Sequence, residues 1–121
     1  MKFTKPKAIY MQIADYICEN ILALELKEGD RIQSVREMAA QVEVNPNTVA
    51  RTFSYLQEKE IIYNKRGVGY FVAEDALAKT KALKKDAFIK QFLPEVFKMM
   101  ELLGMSFDDL KLLREGKIMK E

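Results

Sequence analysis

The sequence predicts an α+β fold that is mostly helical: an N-terminal winged helix-turn-helix followed by a short helical C-terminal segment. Residues 34–56 carry the caps and apolar spacing of two helices joined by a tight turn. Residues 61–72 contain two β-prone runs around a turn rich in glycine and positive charge, which indicates a hairpin. We expect the winged domain to span residues 1–75 and the helical segment, a dimerisation segment, to span residues 76–121.

The composition is that of a soluble chain with one packed core and an appendage. Of the 121 residues, 49% are hydrophobic and 31% are charged, and no apolar run is long enough to span a membrane. The basic N-terminus lacks the apolar region of a secretory signal, and the single cysteine, Cys18, cannot form an internal disulfide. We therefore expect a cytoplasmic location. The chain has no histidine, which removes most zinc sites and the usual general base of catalytic triads. The sequence also shows no dinucleotide-binding fingerprint and no carboxylate cluster, and we expect no metal, no cofactor and no catalytic activity.

The first elements along the chain are a helix and a short strand. Residues 8–24 place apolar side chains at helical spacing, and Gly29 then provides a turn. Arg31 and Ile32 are a candidate third strand beside the hairpin.

The helix-turn-helix is predicted from two helix caps. Ser34 and Glu37 have the spacing of a capping box for the first helix. Asn45 is positioned to cap the second helix, with Pro46 at its first position, where the missing N–H costs nothing. The second helix is expected to bury an apolar stripe of Val49, Phe53 and Leu56. Its opposite face is expected to carry side chains that reach phosphates and base edges: Asn47, Thr48, Arg51 and Tyr55.

The hairpin turn is the second candidate contact with nucleic acid. Lys65 and Arg66 place positive charge at its tip, and Gly67 is expected to need a positive φ or a close approach to DNA. The aromatic residues of the hairpin, Tyr63, Tyr70 and Phe71, are expected in the core, which argues against RNA recognition on a sheet.

Net charge supports a nucleic-acid partner only weakly. It is +2 overall, with ten basic and eleven acidic residues in residues 1–75 and ten against seven in residues 76–121. A DNA-binding hypothesis must therefore rest on the placement of a few cations. The alternative, that these are ordinary solvated side chains, stays open. The cations concerned are Arg36, Arg51, Lys65 and Arg66.

The C-terminal residues predict helices that cannot enclose a core by themselves. Pro94 should kink or split the first helix, Gly104 should end it, and Ser106 should cap the last one. An apolar stripe runs along this segment: Phe88, Phe92, Val96, Met99 and Leu103. We expect the stripe to pair with a second copy of the chain across a two-fold axis. The alternative is that the helices fold back onto their own winged domain.

The motifs in residues 8–72 resemble the DNA-binding domain of the GntR family of bacterial transcription regulators. The resemblance is carried in order by S-V-R-E-M-A at residues 34–39, V-N-P-N-T-V at 44–49 and R-G-V-G-Y-F-V at 66–72. The short helical C-terminus is similar to that of the YtrA subfamily. The resemblance implies a dimeric regulator, usually a repressor and often of transporter operons.

By position, the resemblance implies a set of DNA contacts: Ser34, Arg36, Asn45, Asn47, Thr48, Arg51 and Gly67. The sequence departs from the family pattern at three positions. Gln33 replaces a common proline, and Pro46 and Ala50 replace common arginines, so the base contacts of those arginines do not carry over.

Together these observations predict a sequence-specific DNA-binding regulator, a repressor, that binds an inverted-repeat operator in double-stranded DNA as a homodimer. A small-molecule effector of unknown identity is a further candidate partner. The competing hypothesis is a winged helix that serves as a protein-protein interaction module without binding DNA.

Overall fold

The computed structural model describes residues 6–117, which form two compact units: residues 6–85, the winged unit, and residues 86–117, the C-terminal unit. The predicted fold class is confirmed. The elements in chain order are α1 (Ile9–Leu22), β1 (Arg31–Ile32), α2 (Val35–Val42), α3 (Pro46–Glu58), β2 (Ile62–Lys65), β3 (Gly69–Val72), α4 (Ala76–Ala87), a π-helical turn (Phe88–Phe92), α5 (Leu93–Leu103) and α6 (Phe107–Arg114).

The hairpin and the short first strand form one antiparallel sheet in the order β1-β3-β2. Arg31 pairs with Phe71, and Phe71 pairs on its other side with Tyr63. The third strand expected at Arg31–Ile32 is therefore present. Because side chains alternate between the faces of a strand, these three directly opposed residues share the outer face of the sheet.

Two of the hairpin aromatics lie outside the core, contrary to expectation. Tyr63 is 42% exposed and its ring stacks on that of Phe71, with the centroids 5.7 Å apart. Only Tyr70 packs inward, edge-on to Phe53 at 4.7 Å. Strand alternation explains the difference, because the buried residue Ile62 forces its neighbour Tyr63 to the opposite face.

The core of the winged unit is built between α1 and α3. The predicted stripe of α3 is confirmed, since Val49, Phe53 and Leu56 are all 0% exposed. They pack with a matching stripe on α1: Ile13, Ile17 and Ile21. A hydrogen bond adds to this packing, because the Thr52 hydroxyl on α3 donates to the Tyr10 carbonyl on α1 at 2.6 Å. The second helix of the motif is thereby fixed along its buried side.

Most of α4, as far as Lys85, belongs to the winged unit. Ala76 is 1% exposed and Thr80 is 0% exposed. Lys84 forms an ion pair with Asp15 of α1, which also pairs with Lys7 at 2.6 Å. Burial alone raises the pKa of Asp15, but hydrogen bonds and charges from the two lysines outweigh it and the net pKa is lowered. The compact unit therefore reaches Lys85, beyond the boundary at Asp75 that composition suggested.

The helical interruption expected at Pro94 takes the form of a π-helical turn. The N–H of Leu93 donates to the carbonyl of Phe88, five residues earlier, immediately before the proline that cannot donate. Gly104 then ends α5 in the left-handed conformation at φ 71°, and Ser106 forms a capping box with Asp109 at the start of α6. Both predicted helix signals are therefore confirmed.

Within residues 6–117, no helix has both the length and the hydropathy that crossing a bilayer requires.

Candidate nucleic-acid interface

The caps of α2 and α3 bring the first group of predicted contact residues to two helix N-termini. The backbone N–H of Glu37 donates to the Ser34 hydroxyl oxygen at 3.0 Å, and the Ser34 N–H donates to the Glu37 carboxylate at 2.9 Å. The Asn47 N–H donates to Oδ1 of Asn45 at 2.7 Å. Both predicted caps are thus present. The side-chain amide of Asn47 is not used in these caps, so it can serve a ligand.

The carboxylate of Glu37 brings a negative charge next to Ser34. Its pKa is lowered first by the backbone N–H of Ser34 and then by the Ser34 hydroxyl, with a smaller contribution from the charge of Arg31. Glu37 is therefore ionised at neutral pH and engaged at the positive end of α2.

The exposed side of α3 carries polar and basic residues as the sequence predicts. Asn47 and Arg51 are exposed, whereas Thr48 and Tyr55 are half-buried on the flank of the helix. Arg36, in the first turn of α2, is also exposed. Within residues 6–117, neither arginine forms an ion pair with a carboxylate. Both charges are therefore available to an anionic partner.

Arg51 is held by an aromatic residue that the sequence analysis did not select. Its guanidinium carbon lies 3.9 Å from the ring centroid of Tyr10, in the first turn of α1. A guanidinium that stacks through its flat face keeps its in-plane N–H donors free. Tyr10 thus limits the orientations of Arg51 while its donors stay available. No local pattern could have revealed this pair, because it joins two helices that are distant in sequence.

Two further exposed residues, Ala50 and Ser54, lie on the same side of α3 and were not among the predicted contacts. Ala50 and Ser54 follow Asn47 at steps of three and seven residues, which places all three opposite the buried stripe. The helical spacing that identified the buried stripe would have found them. The small side chain of Ala50 lets a ligand approach the helix backbone closely.

The tip of the hairpin, or wing, is a tight turn that depends on glycine. The N–H of Val68 donates to the carbonyl of Lys65 at 2.8 Å, and Gly67 sits within the turn at φ +78°. This is the conformation that a type II turn demands at its third position. The positive φ expected for Gly67 is therefore observed. Lys65 and Arg66 are exposed beside it, and Lys65 Nζ lies 5.6 Å from the Phe71 ring.

Replacing Gly67 with valine is expected to damage the wing. A β-carbon would meet no atom within 4 Å, so the cost comes from the backbone alone. A β-branched residue at positive φ is strained by about 1–2 kcal/mol, and the turn is expected to change conformation. Thermal unfolding and titration with DNA would test this, with Val68→Ala as the control. DNA binding equal to that of the wild type would show that the wing is not a contact.

The sequence of this chain is similar to those of bacterial transcriptional regulators. A model of bacterial regulatory proteins of the gntR family matches residues 9–72. The chain is 39% identical over 109 residues to the HTH-type transcriptional regulator YhcF of Bacillus subtilis, covering 90% of this chain and 88% of that protein. It is 34% identical over 103 residues to the HTH-type transcriptional repressor YtrA of Bacillus subtilis, and the alignment covers 84% of this chain and 78% of that protein.

A solved structure with a similar fold comes from Bacteroides thetaiotaomicron and is described as a transcriptional regulator of the GntR family. It aligns with a TM-score of 0.74 and 45% sequence identity, covering 89% of this chain and 95% of its own. The similarity thus extends past the winged unit into the C-terminal helices.

Proposed function

Since the chain belongs to the GntR family of bacterial transcriptional regulators, whose members are not enzymes, we propose that it represses transcription by binding an inverted-repeat operator as a homodimer. The observation that carries the proposal is that exposed cations lie on both parts of the motif, Arg36 and Arg51 on the helices and Lys65 and Arg66 on the wing. None of these four forms an ion pair with another residue of the range 6–117. A helix with a polar outer face fits the major groove, and DNA supplies the anions. Repression is proposed because YtrA is described as a repressor.

The proposed contacts divide into positioning and base-specific groups. Ser34, Asn45 and Thr48, at or near helix N-termini, are suited to phosphates, as are Lys65, Arg66 and the backbone of Gly67 at the wing tip. Asn47, Arg36 and Arg51 have the amide and guanidinium groups that recognise base edges. Since positions 46 and 50 hold proline and alanine, the specificity of this chain is expected to rest on those three side chains.

The homodimer is proposed from the apolar residues of the C-terminal unit. Phe88 is 50% exposed and Leu103 is 64% exposed, at the two ends of the predicted stripe. Phe92, Val96 and Met99 are half-buried between them. Other large apolar side chains are also exposed in this unit: Ile89, Phe97, Leu102 and Phe107. A surface of this kind is best covered by its counterpart on a second copy. A two-fold dimer would then bind an inverted repeat.

The competing hypothesis, a winged helix that binds only proteins, is not favoured. The relatives at 39% and 34% identity are described as a transcriptional regulator and a transcriptional repressor.

The proposal is tested by replacing the two arginines of the helices. We expect Arg36→Ala and Arg51→Ala each to weaken binding by about 1–3 kcal/mol, the cost of one good base contact, without changing the fold. The DNA would be obtained by selecting bound sequences from a random pool, and the affinities measured by fluorescence anisotropy.

The matched control is Lys59→Ala. Lys59 is the C-terminal cap of α3, whereas Asn47 lies in its first turn, so this variant removes a cation from the opposite end of the helix. It should bind the selected DNA like the wild type. If both arginine variants also did so, the proposed interface would be wrong. If no sequence were enriched by the wild type, sequence-specific binding itself would fail.

A further inference from the structure

A fifth cation, Arg31, lies against the wing without belonging to either helix. It pairs with Phe71 in the sheet and is three residues before Ser34, the cap of α2. Its Nη2 makes a long hydrogen bond of 3.5 Å to the carbonyl of Val68, beside the wing tip. Arg31 thus contacts the wing directly, and it lies close to α2 because only two residues separate it from the cap of that helix.

The guanidinium of Arg31 lies so close to Gly69 that a side chain at position 69 would crowd it. A β-carbon built on Gly69 would lie 3.2 Å from Nε and 3.3 Å from Nη2 of Arg31. Glycine at this position therefore lets the guanidinium lie close against β3. This contact and the hydrogen bond to Val68 restrict the orientations of a side chain that is otherwise exposed.

The donors of Arg31 are largely unused. Within residues 6–117, no carboxylate lies within ion-pair distance of it, and its one hydrogen bond is the long one to Val68. A guanidinium has five N–H donors in a fixed plane, so most of them are free. Held in place and unpaired, such a group matches the geometry of a phosphate, which accepts two parallel hydrogen bonds from it.

We propose that Arg31 contacts a backbone phosphate of duplex DNA. This phosphate would lie between the part of the DNA that α2 contacts and the part that the wing contacts. This inference rests on the proposed function and deepens it. It adds a residue that the sequence analysis had assigned only to a strand. Because the contact is to the backbone, it should strengthen binding to all sequences alike.

The test measures the salt dependence of binding by the full-length chain to labelled duplex DNA of mixed sequence. Removing a single phosphate interaction should make the slope of log K against log salt concentration shallower by about 1. We expect this change for Arg31→Gln and a slope close to that of the wild type for Arg31→Lys, which keeps the charge. Lys59→Gln, the matched removal of a cation elsewhere on the winged unit, should leave the slope unchanged.

A second measurement uses Gly69→Ala, whose new methyl group would displace the guanidinium. The added backbone strain is the same whether residue 31 is arginine or glutamine, so a double-mutant cycle removes it. We expect Gly69→Ala to weaken binding more in the wild type than in Arg31→Gln. If Gly69→Ala lowered DNA affinity equally in the two backgrounds, or if Arg31→Gln kept the wild-type salt slope, the phosphate contact of Arg31 would be wrong while the proposed function would stand. A wild type that does not bind duplex DNA even at low salt would overturn the proposed function as well.

Discussion

Replacing Phe53 with alanine is expected to lower the free energy of unfolding by about 3–5 kcal/mol, the usual cost of removing a buried aromatic ring. The ring is 0% exposed and packs edge-on against Tyr70 at 4.7 Å, so it joins α3 to the sheet. Its loss would leave a cavity between the sheet and α3, the proposed recognition helix. Since small domains are stable by only about 5–15 kcal/mol, this loss is a large share of the total, and the unfolded fraction is expected to rise steeply.

Chemical denaturation of the two proteins would measure this decrease, with Phe71→Ala as the matched control. Phe71 lies on the outer face of the same sheet, where its ring stacks on the exposed ring of Tyr63. Removing it exposes little new surface and should cost much less. If the two variants were destabilised equally, the core would not be centred on Phe53. DNA binding should fall with the folded fraction in Phe53→Ala.

The elements that the sequence predicted well are those defined by local chemistry. The capping box at Ser34 and Glu37 and the cap at Asn45 depend on residues two or three positions apart, so their spacing was sufficient. The buried stripe of α3 follows from helical periodicity, and the positive φ of Gly67 from the needs of a tight turn. In each case one physical requirement permits few residue types at a fixed spacing.

The features that were missed depend on contacts between distant parts of the chain. The ring of Tyr10 under Arg51 joins α1 to α3, and the guanidinium of Arg31 over Gly69 joins β1 to β3. Neither pair leaves a signal in local spacing. The outward position of Tyr63 was missed for a different reason, because the hydrophobicity of an aromatic residue was given more weight than strand alternation. The register of the sheet pairs Tyr63 with Phe71, and it pairs the buried residue Ile62 with Val72, so Tyr63 must lie on the outer face.

Ending the chain after Lys85 is expected to produce a folded winged unit that is monomeric and binds the operator about 10²–10⁴-fold more weakly. A dimer that holds two winged units together makes binding to the second half-site intramolecular, an advantage that the monomer lacks. The end point matters because Ala76 and Thr80 are buried in the winged unit and Lys84 pairs with Asp15. A chain that ends at Asp75 would lack this packing and this ion pair, and it would be less stable.

The truncated and full-length chains would be compared by sedimentation and by titration with DNA containing one or two half-sites. Both should bind a single half-site similarly, and only the full-length chain should gain affinity from the second. Leu103→Glu provides a matched variant of the full chain, because this side chain is 64% exposed and a charge there should disturb the dimer more than the fold. If full-length protein sedimented as a monomer on DNA and in free solution, the apolar stripe would have to be covered within one chain. The inverted-repeat operator would then have no structural basis, because a monomer presents only one recognition helix to the DNA.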